Sequence, residues 1–165
     1  MAVVIADAGP LIALAKISQL HLLSALFTSV LITQSVADEC LRGQLSEAIL
    51  IKQALESGWL TCADNPVFSH PLSRSLGLGE QSSIEYALQT DTKTLLIMDG
   101  ALARKQALRK QLNIIGTAAL LFAAQQKGLI ADAETLIAEL NQVGYRISAA
   151  VIAQLRSGSA CPVTF

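Results

Sequence analysis

The sequence predicts an α/β fold: a central, mostly parallel sheet with helices on both faces. Three observations carry this. Short continuous apolar runs such as Val3-Val4-Ile5-Ala6 and Leu95-Leu96-Ile97-Met98 have the length of strands buried on both faces. Segments of helical periodicity separate those runs along the whole chain, the order that builds parallel sheets. Hydrophobic residues make up 52% of the 165 residues and charged residues 15%, which suits strands hidden on both sides.

The first strand, Val3 to Ala6, ends at Asp7. Gly9-Pro10 turns the chain, and Pro10 suits the first turn of a helix carrying Leu11, Leu14 and Ala15. A short helix is expected from Leu20 to Phe27, and a second strand at Val30-Leu31-Ile32. A helix with Val36, Cys40 and Leu41 follows, then an amphipathic helix from Leu45 to Ser57 that Gly58 is placed to end. Trp59-Leu60-Thr61 reads as an edge strand. Asn65 to Gly77, with Pro66, Pro71 and several serines, reads as a long surface loop. Loops of that length are uncommon unless functional or mobile. A helix from Gly79 to about Gln89 precedes the clearest strand, Thr94 to Met98, which ends at Asp99. A helix rich in Ala, Lys and Arg runs to about Gln111, and Asn113-Ile114-Ile115 is the last strand. Helices from about residue 117 onward complete a single domain over 1–165, with Gly128, Gly144 and Ser148 at their boundaries.

Composition excludes several functions. The net charge of −1 means that nucleic acid would have to be met by a local basic patch. Aromatic content of 4% offers no stacking platform for bases. Cys40, Cys62 and Cys161 form no C-x-x-C pair, which fits reduced thiols in a cytoplasmic protein, with Cys40 in the core. His21 and His70 stand alone, against a zinc site or a Ser-His-Asp triad. The apolar N-terminus lacks a basic start and is broken by Asp7, against a signal peptide. No charge-free stretch reaches membrane-spanning length.

In parallel α/β sheets, functional groups gather beyond the carboxyl ends of the strands. That rule selects Asp7 and Asp99. Glu39 lies just past the second strand, although Asp38 is equally placed by spacing. Glu80 opens the helix after Gly77-Leu78-Gly79 and shares a stripe with Ile84 and Ala87, whereas Glu85 is expected to be solvated. Carboxylates brought together repel: two charges ~5 Å apart cost roughly 3 kcal/mol at an effective dielectric of ~20. A cluster of four needs protons or cations, and oxygen donors alone favour Mg²⁺ or Mn²⁺ over zinc. Such an ion can activate water and stabilise charge on a phosphodiester. The competing reading is plainer: Asp7 as a helix cap and Glu80 as a favourable charge at a helix N-terminus.

The opening V-V-I-A-D-A-G-P-L-I-A-L-A-K resembles that of PIN-like proteins. Further along, S-V-A-D-E-C-L, G-L-G-E-Q-S-S-I-E-Y-A-L and L-L-I-M-D-G-A-L-A-R-K-Q-A resemble one prokaryotic branch of that superfamily, related to VapC-like toxin ribonucleases. The tail segments I-I-G-T-A-A-L-L-F-A-A-Q-Q-K-G-L-I and G-Y-R-I-S are similar to the same branch, so the resemblance spans nearly the whole chain. It implies a three-layer sandwich around a parallel sheet, and a ribonuclease dependent on Mg²⁺ or Mn²⁺, often a toxin neutralised by an antitoxin protein. It also implies catalytic and metal-binding roles for Asp7, Glu39, Glu80 and Asp99, choosing Glu39 over Asp38 because V-x-x-E starts at Val36.

Two positions depart from the family pattern. Ala8 stands where many relatives carry a hydroxyl residue, and Gly100 where relatives of this branch often show a second Asp. They support an alternative: a catalytically weakened PIN-like protein acting through protein or nucleic-acid binding. A phosphatase or phospho-receiver is disfavoured, because no D-x-D or acid pair follows the first strand.

Arg104 and Lys105, on the helix beside Asp99, and Arg74, in the long loop, are candidate RNA contacts. The same residues, with Arg109 and Lys110, would equally serve as solvated surface charges. The apolar content also predicts a homodimer or an antitoxin complex, with the helices between Gly116 and Ala153 as the contact.

Overall fold

The computed structural model describes residues 2–43 and 45–158; Cys161 lies outside them. Five short strands form one parallel sheet: β1 (Val3–Ala6), β2 (Val30–Thr33), β3 (Leu60–Ala63), β4 (Thr94–Ile97) and β5 (Asn113–Ile115). Their spatial order is β3-β2-β1-β4-β5. The chain therefore winds one way from β1 through β2 to β3, then crosses to β4 on the other side. That reversal opens a crevice at the carboxyl ends of β1 and β4.

The helices are α1 (Ala8–Lys16), α2 (Leu22–Phe27), α3 (Gln34–Arg42), α4 (Leu45–Glu56), α5 (Leu78–Gln89), α6 (Ala101–Arg109), α7 (Thr117–Gln126), α8 (Ala133–Gln142) and α9 (Ala149–Arg156). Strand alternation sends neighbouring side chains to opposite faces. Val4, Ala6, Leu95 and Ile97 join a core made with α1, α2, α3, α4, α7 and α8. Ile5, Leu96 and Met98 join a second core with α5 and α6. The result is the three-layer sandwich. Fully buried side chains such as Ile5 and Leu96 contribute roughly 2 kcal/mol each.

Local signals fix the element ends. Gly58, at φ +84°, takes the left-handed conformation that stops α4. Thr33 accepts a hydrogen bond from Val36 N and caps α3, and Ser148 does the same for α9 through Val151 N. The buried Thr33 and Ser82 hydroxyls are 2.7 Å apart, and Ser82 donates to Gly79 O, tying the start of α3 to the first turns of α5.

The long loop is pinned rather than loose. Asn65 Oδ1 accepts from Ser35 N, and Gln81 Nε2 donates to Leu76 O. Its middle is held by Glu85, which is fully buried where the sequence predicted a solvated side chain. Glu85 accepts hydrogen bonds from Ser69 N, Ser69 Oγ, His70 N and Gln89 Nε2, and its Oε1 lies 2.8 Å from His70 Nδ1. His70 therefore does not stand alone. Helical spacing placed Glu85 on an outer face, but the loop folds back over that face and supplies the donors a buried carboxylate requires.

The tail helices α7 and α8 turn apolar residues such as Leu120, Leu121, Ile137 and Leu140 into the core. The large exposed apolar side chains are scattered; they include Leu41, Ile49, Val67, Leu78 and Leu108, with Val151 on α9. No helix among the described residues is long and apolar enough to cross a membrane.

Candidate metal centre

Asp7 and Asp99 stand on one rim, at the carboxyl ends of adjacent strands. Ala6 pairs with Ile97 in register, and Asp7 N donates to Ile97 O at 2.9 Å. Asp7 occupies the N-cap position of α1, yet its side chain makes no capping hydrogen bond. It does not bond the second or third amide of α1 as a cap would, although the Ala8 amide, the first of the helix, does reach the carboxyl.

Glu39 and Glu80 arrive from α3 and α5. Their approach depends on Gly79. A Cβ on that residue would sit 3.1 Å from Glu39 Oε2, 3.3 Å from Val36 Cγ2 and 3.4 Å from Asp7 Oδ1. Only a residue without a side chain lets the first turn of α5 press this close to α3 and Asp7. Asp38, the rival of Glu39, is instead held by Gln34 Nε2 at 2.8 Å on the outer side of α3. Glu80 Oε2 accepts from Gly77 N at 3.1 Å, and Oε1 lies over Gly100.

The electrostatics agree with convergence. Burial, followed by the charges of Glu80, Glu39 and Asp99, pushes the Asp7 carboxyl up to about 7, against a smaller downward pull from the Ala8 backbone amide. The buried Cys40 thiol is pushed up to about 12 by burial and by the charges of Glu39 and Asp7. The charges of Glu39, Glu80 and Asp99 are thus all felt at Asp7.

Asp99 is the most constrained of them. Thr117 N donates to Oδ1 at 2.9 Å and Thr117 Oγ1 to Oδ2 at 2.5 Å. The Tyr145 hydroxyl also donates to Oδ2. Burial and the Asp99 charge raise the Tyr145 phenol above its ordinary value, so it stays a donor. Sequence reasoning missed both partners. Thr117 was within reach of the rule that found Asp7 and Asp99, since it follows β5 on the same rim. Tyr145 had no such signal.

A groove of about 630 Å³ runs from Asp99 along α6, lined by Ala101, Arg104, Lys105, Leu108 and Arg109. Arg104 is anchored by a hydrogen bond from Nη1 to Met98 O at 3.0 Å. Lys105 and Arg109 are exposed. Arg74 is exposed on the loop and is not among the groove-lining residues.

A family model for the PIN domain matches residues 3–159, nearly the whole chain. The chain belongs to the PIN domain family. PIN domains are generally nucleases, interact with nucleic acid and usually use divalent metals. No curated protein matches this PIN domain closely enough to add to that assignment.

Among the described residues, no group of three or more His, Cys, Asp or Glu side chains is placed so that it could hold a metal ion. The donor set of this PIN domain nevertheless fits a hard cation in kind. It is all oxygen, and two carboxylate oxygens converge over Gly79. Burial, more than the neighbouring charges, raises the Asp7 carboxyl, and a cation beside it would take the place of the proton.

Gly100, the apparent loss of a second acid, has a structural counterpart. A Cβ there would come 2.2 Å from Glu80 Oε1, so Glu80 fills the space that a side chain at this position would need. Gly100→Ala is expected to displace the Glu80 carboxylate and break its bond to Gly77 N. Gly100 has φ −55°, which alanine tolerates, so the smaller entropy of the unfolded chain offsets most of the lost hydrogen bond. The metal-free melt should move by about 1 kcal/mol or less, while Mn²⁺ affinity changes. Calorimetric titration showing unchanged affinity would place Glu80 outside the metal centre.

Proposed function

We propose that this protein is a metal-dependent endoribonuclease, with Asp7, Glu39, Glu80 and Asp99 as its Mg²⁺ or Mn²⁺ ligands. The observation that supports it most is the convergence of Asp7 and Glu39 over Gly79, with all three other acids raising the Asp7 carboxyl. When bound, a divalent ion supplies charge stabilisation at the phosphoryl group and a more acidic water. The protein's own residues do the rest. Asp7 and Glu39 would hold the ion at the cradle, with Glu80 from α5 and Asp99 from the end of β4 completing the set. Arg104, Lys105 and Arg109 line the groove that starts at Asp99, where they would hold successive phosphates of a single strand. The restricted aromatic content leaves base stacking a minor part.

The finer assignment, a toxin with an antitoxin partner and a homodimeric state, is supported by the motif resemblance and the high apolar content. The alternative, a weakened PIN protein acting through binding, is favoured by Ala8, by Gly100 and by the hydrogen bonds that already occupy Asp99.

Thermal melts with and without Mn²⁺, run beside cleavage of a labelled single-stranded RNA, separate the two. A nuclease gains stability with Mn²⁺ by roughly 3 kcal/mol at a hundredfold excess over Kd, and cuts the RNA only with the ion present. If Mn²⁺ leaves the melt unmoved and no RNA is cut, the binding-protein reading stands. The toxin assignment predicts growth arrest on expression, relieved by a co-purifying partner.

A further inference from the structure

We propose that Tyr145 is a positioning residue for Asp99, acting from the turn between α8 and α9 to fix how that carboxylate meets the metal ion. The inference rests on the metal-centre reading above and deepens it.

A carboxylate has about four lone-pair positions. On Asp99, Oδ2 accepts from both Thr117 Oγ1 and the Tyr145 hydroxyl, and Oδ1 accepts from Thr117 N. One position remains, on Oδ1. Thr117 and Tyr145 together therefore hold the carboxylate in one rotamer and leave a single oxygen site for a cation. Hydrogen bonds to an ionised acceptor are short and strong, so the hold is firm. The pattern is that of an outer partner which orients a metal ligand.

Tyr145 is itself fixed. Its backbone amide donates to Leu140 O at 2.9 Å, in the turn that Gly144, at φ +90°, allows at the end of α8. Two residues on, Ile147 N donates to Asn141 Oδ1 at 2.8 Å. The ring packs against the larger core. The hydroxyl also reaches the start of α1: a Cβ on Gly9 would lie 3.6 Å from it and 4.0 Å from Asp7 Oδ2. The phenol thus bonds Asp99 and lies against the first turn of α1, the helix that Asp7 precedes.

Tyr145→Phe keeps the ring and removes one donor. The experiment is calorimetric titration of wild type and variant with Mn²⁺, together with metal-free melts and steady-state RNA cleavage at saturating Mn²⁺. The expected result is Mn²⁺ affinity roughly 10- to 100-fold weaker in the variant, with kcat lowered, KM for RNA little changed and the metal-free melt lowered only by the loss of one hydrogen bond. A purely structural tyrosine gives the lower melt with unchanged Mn²⁺ affinity, and overturns the inference. Tighter Mn²⁺ binding also overturns it, because Tyr145 would then compete for the carboxylate. A wild type that binds no Mn²⁺ overturns the metal-centre reading and this inference with it. A wild type that binds, beside a variant that binds equally, overturns this inference alone. If Tyr145→Phe folds poorly, Thr117→Ser keeps Oγ and the backbone donor; it should keep Mn²⁺ affinity within about threefold, whereas Thr117→Val weakens it as Tyr145→Phe does.

Discussion

Asp7→Asn is expected to melt higher than the wild type above pH 7 when no divalent ion is present, and to lose RNA cleavage. The Asp7 carboxyl is raised in the folded protein to about 7, mainly by burial and then by Glu80, Glu39 and Asp99. A carboxyl raised on folding contributes full stability below its unfolded value, and that stability is lost as pH rises through the folded value. The metal-free wild type should therefore weaken between about pH 4 and pH 8, by on the order of 4 kcal/mol at the top of that range. Asparagine carries no charge to bury, so the variant should be nearly flat over the same window. At pH 8 its advantage should reach roughly 8–16 °C in Tm. Adding Mn²⁺ reverses the order, because the ion replaces the proton in the wild type and finds one ligand fewer in the variant. Parallel melts from pH 5 to pH 9, with and without Mn²⁺, check both halves. A wild type already flat with pH would mean that the Asp7 carboxyl is not raised on folding, by burial or by its acidic neighbours.

Glu85→Ala is expected to be the most destabilising single change outside the hydrophobic core. It strips the acceptor from Ser69 N, Ser69 Oγ, His70 N and Gln89 Nε2, and opens a hole beneath the long loop. Removing one side of a buried charged network costs about 3–5 kcal/mol, and the loop from Asn65 to Gly77 should become protease-sensitive. Burial alone would raise this carboxyl, but the bonds from His70, Ser69 and Gln89 outweigh it and hold it down at about 2. A depressed carboxyl contributes stability above its unfolded value and loses it as pH falls through the folded one. In the wild type, the loop should therefore loosen between about pH 4.5 and pH 2, on top of general acid unfolding. Glu85→Gln, which keeps the shape and one acceptor, should lose less and remove that pH dependence. Limited proteolysis and hydrogen exchange of residues 65–77 measure the effect. A loop equally protected in Glu85→Ala would mean that its other anchors, Asn65 and Gln81, suffice.

The sequence by itself determined the layered α/β architecture, the strand positions and the rim on which chemistry would gather. Buried parallel strands leave an unmistakable trace, since both faces must be apolar, and chain direction forces their ends to one side. That is why Asp7 and Asp99 were legible: each ends such a run, and β1 and β4 are neighbours. Glu39 was not separable from Asp38 by spacing, because both lie on the solvent side of α3; the family motif chose, and the structure places Glu39 against Gly79. Gly79 was read as the start of a helix and Gly100 as a missing second acid, yet each marks a place where a carboxylate takes the room of a side chain.

Only the tertiary structure decided what surrounds the acids. Glu85 was read as solvated because its helix face is polar, and periodicity carries no information about a loop that later covers that face. The Tyr145 hydroxyl meets Asp99 across 46 positions of sequence, through a turn between two helices whose docking depends on the core beneath them. Local pattern encodes which side of an element is apolar. Which polar groups meet over the rim is set by packing between distant elements, and that is where the fastening of Asp99 is decided.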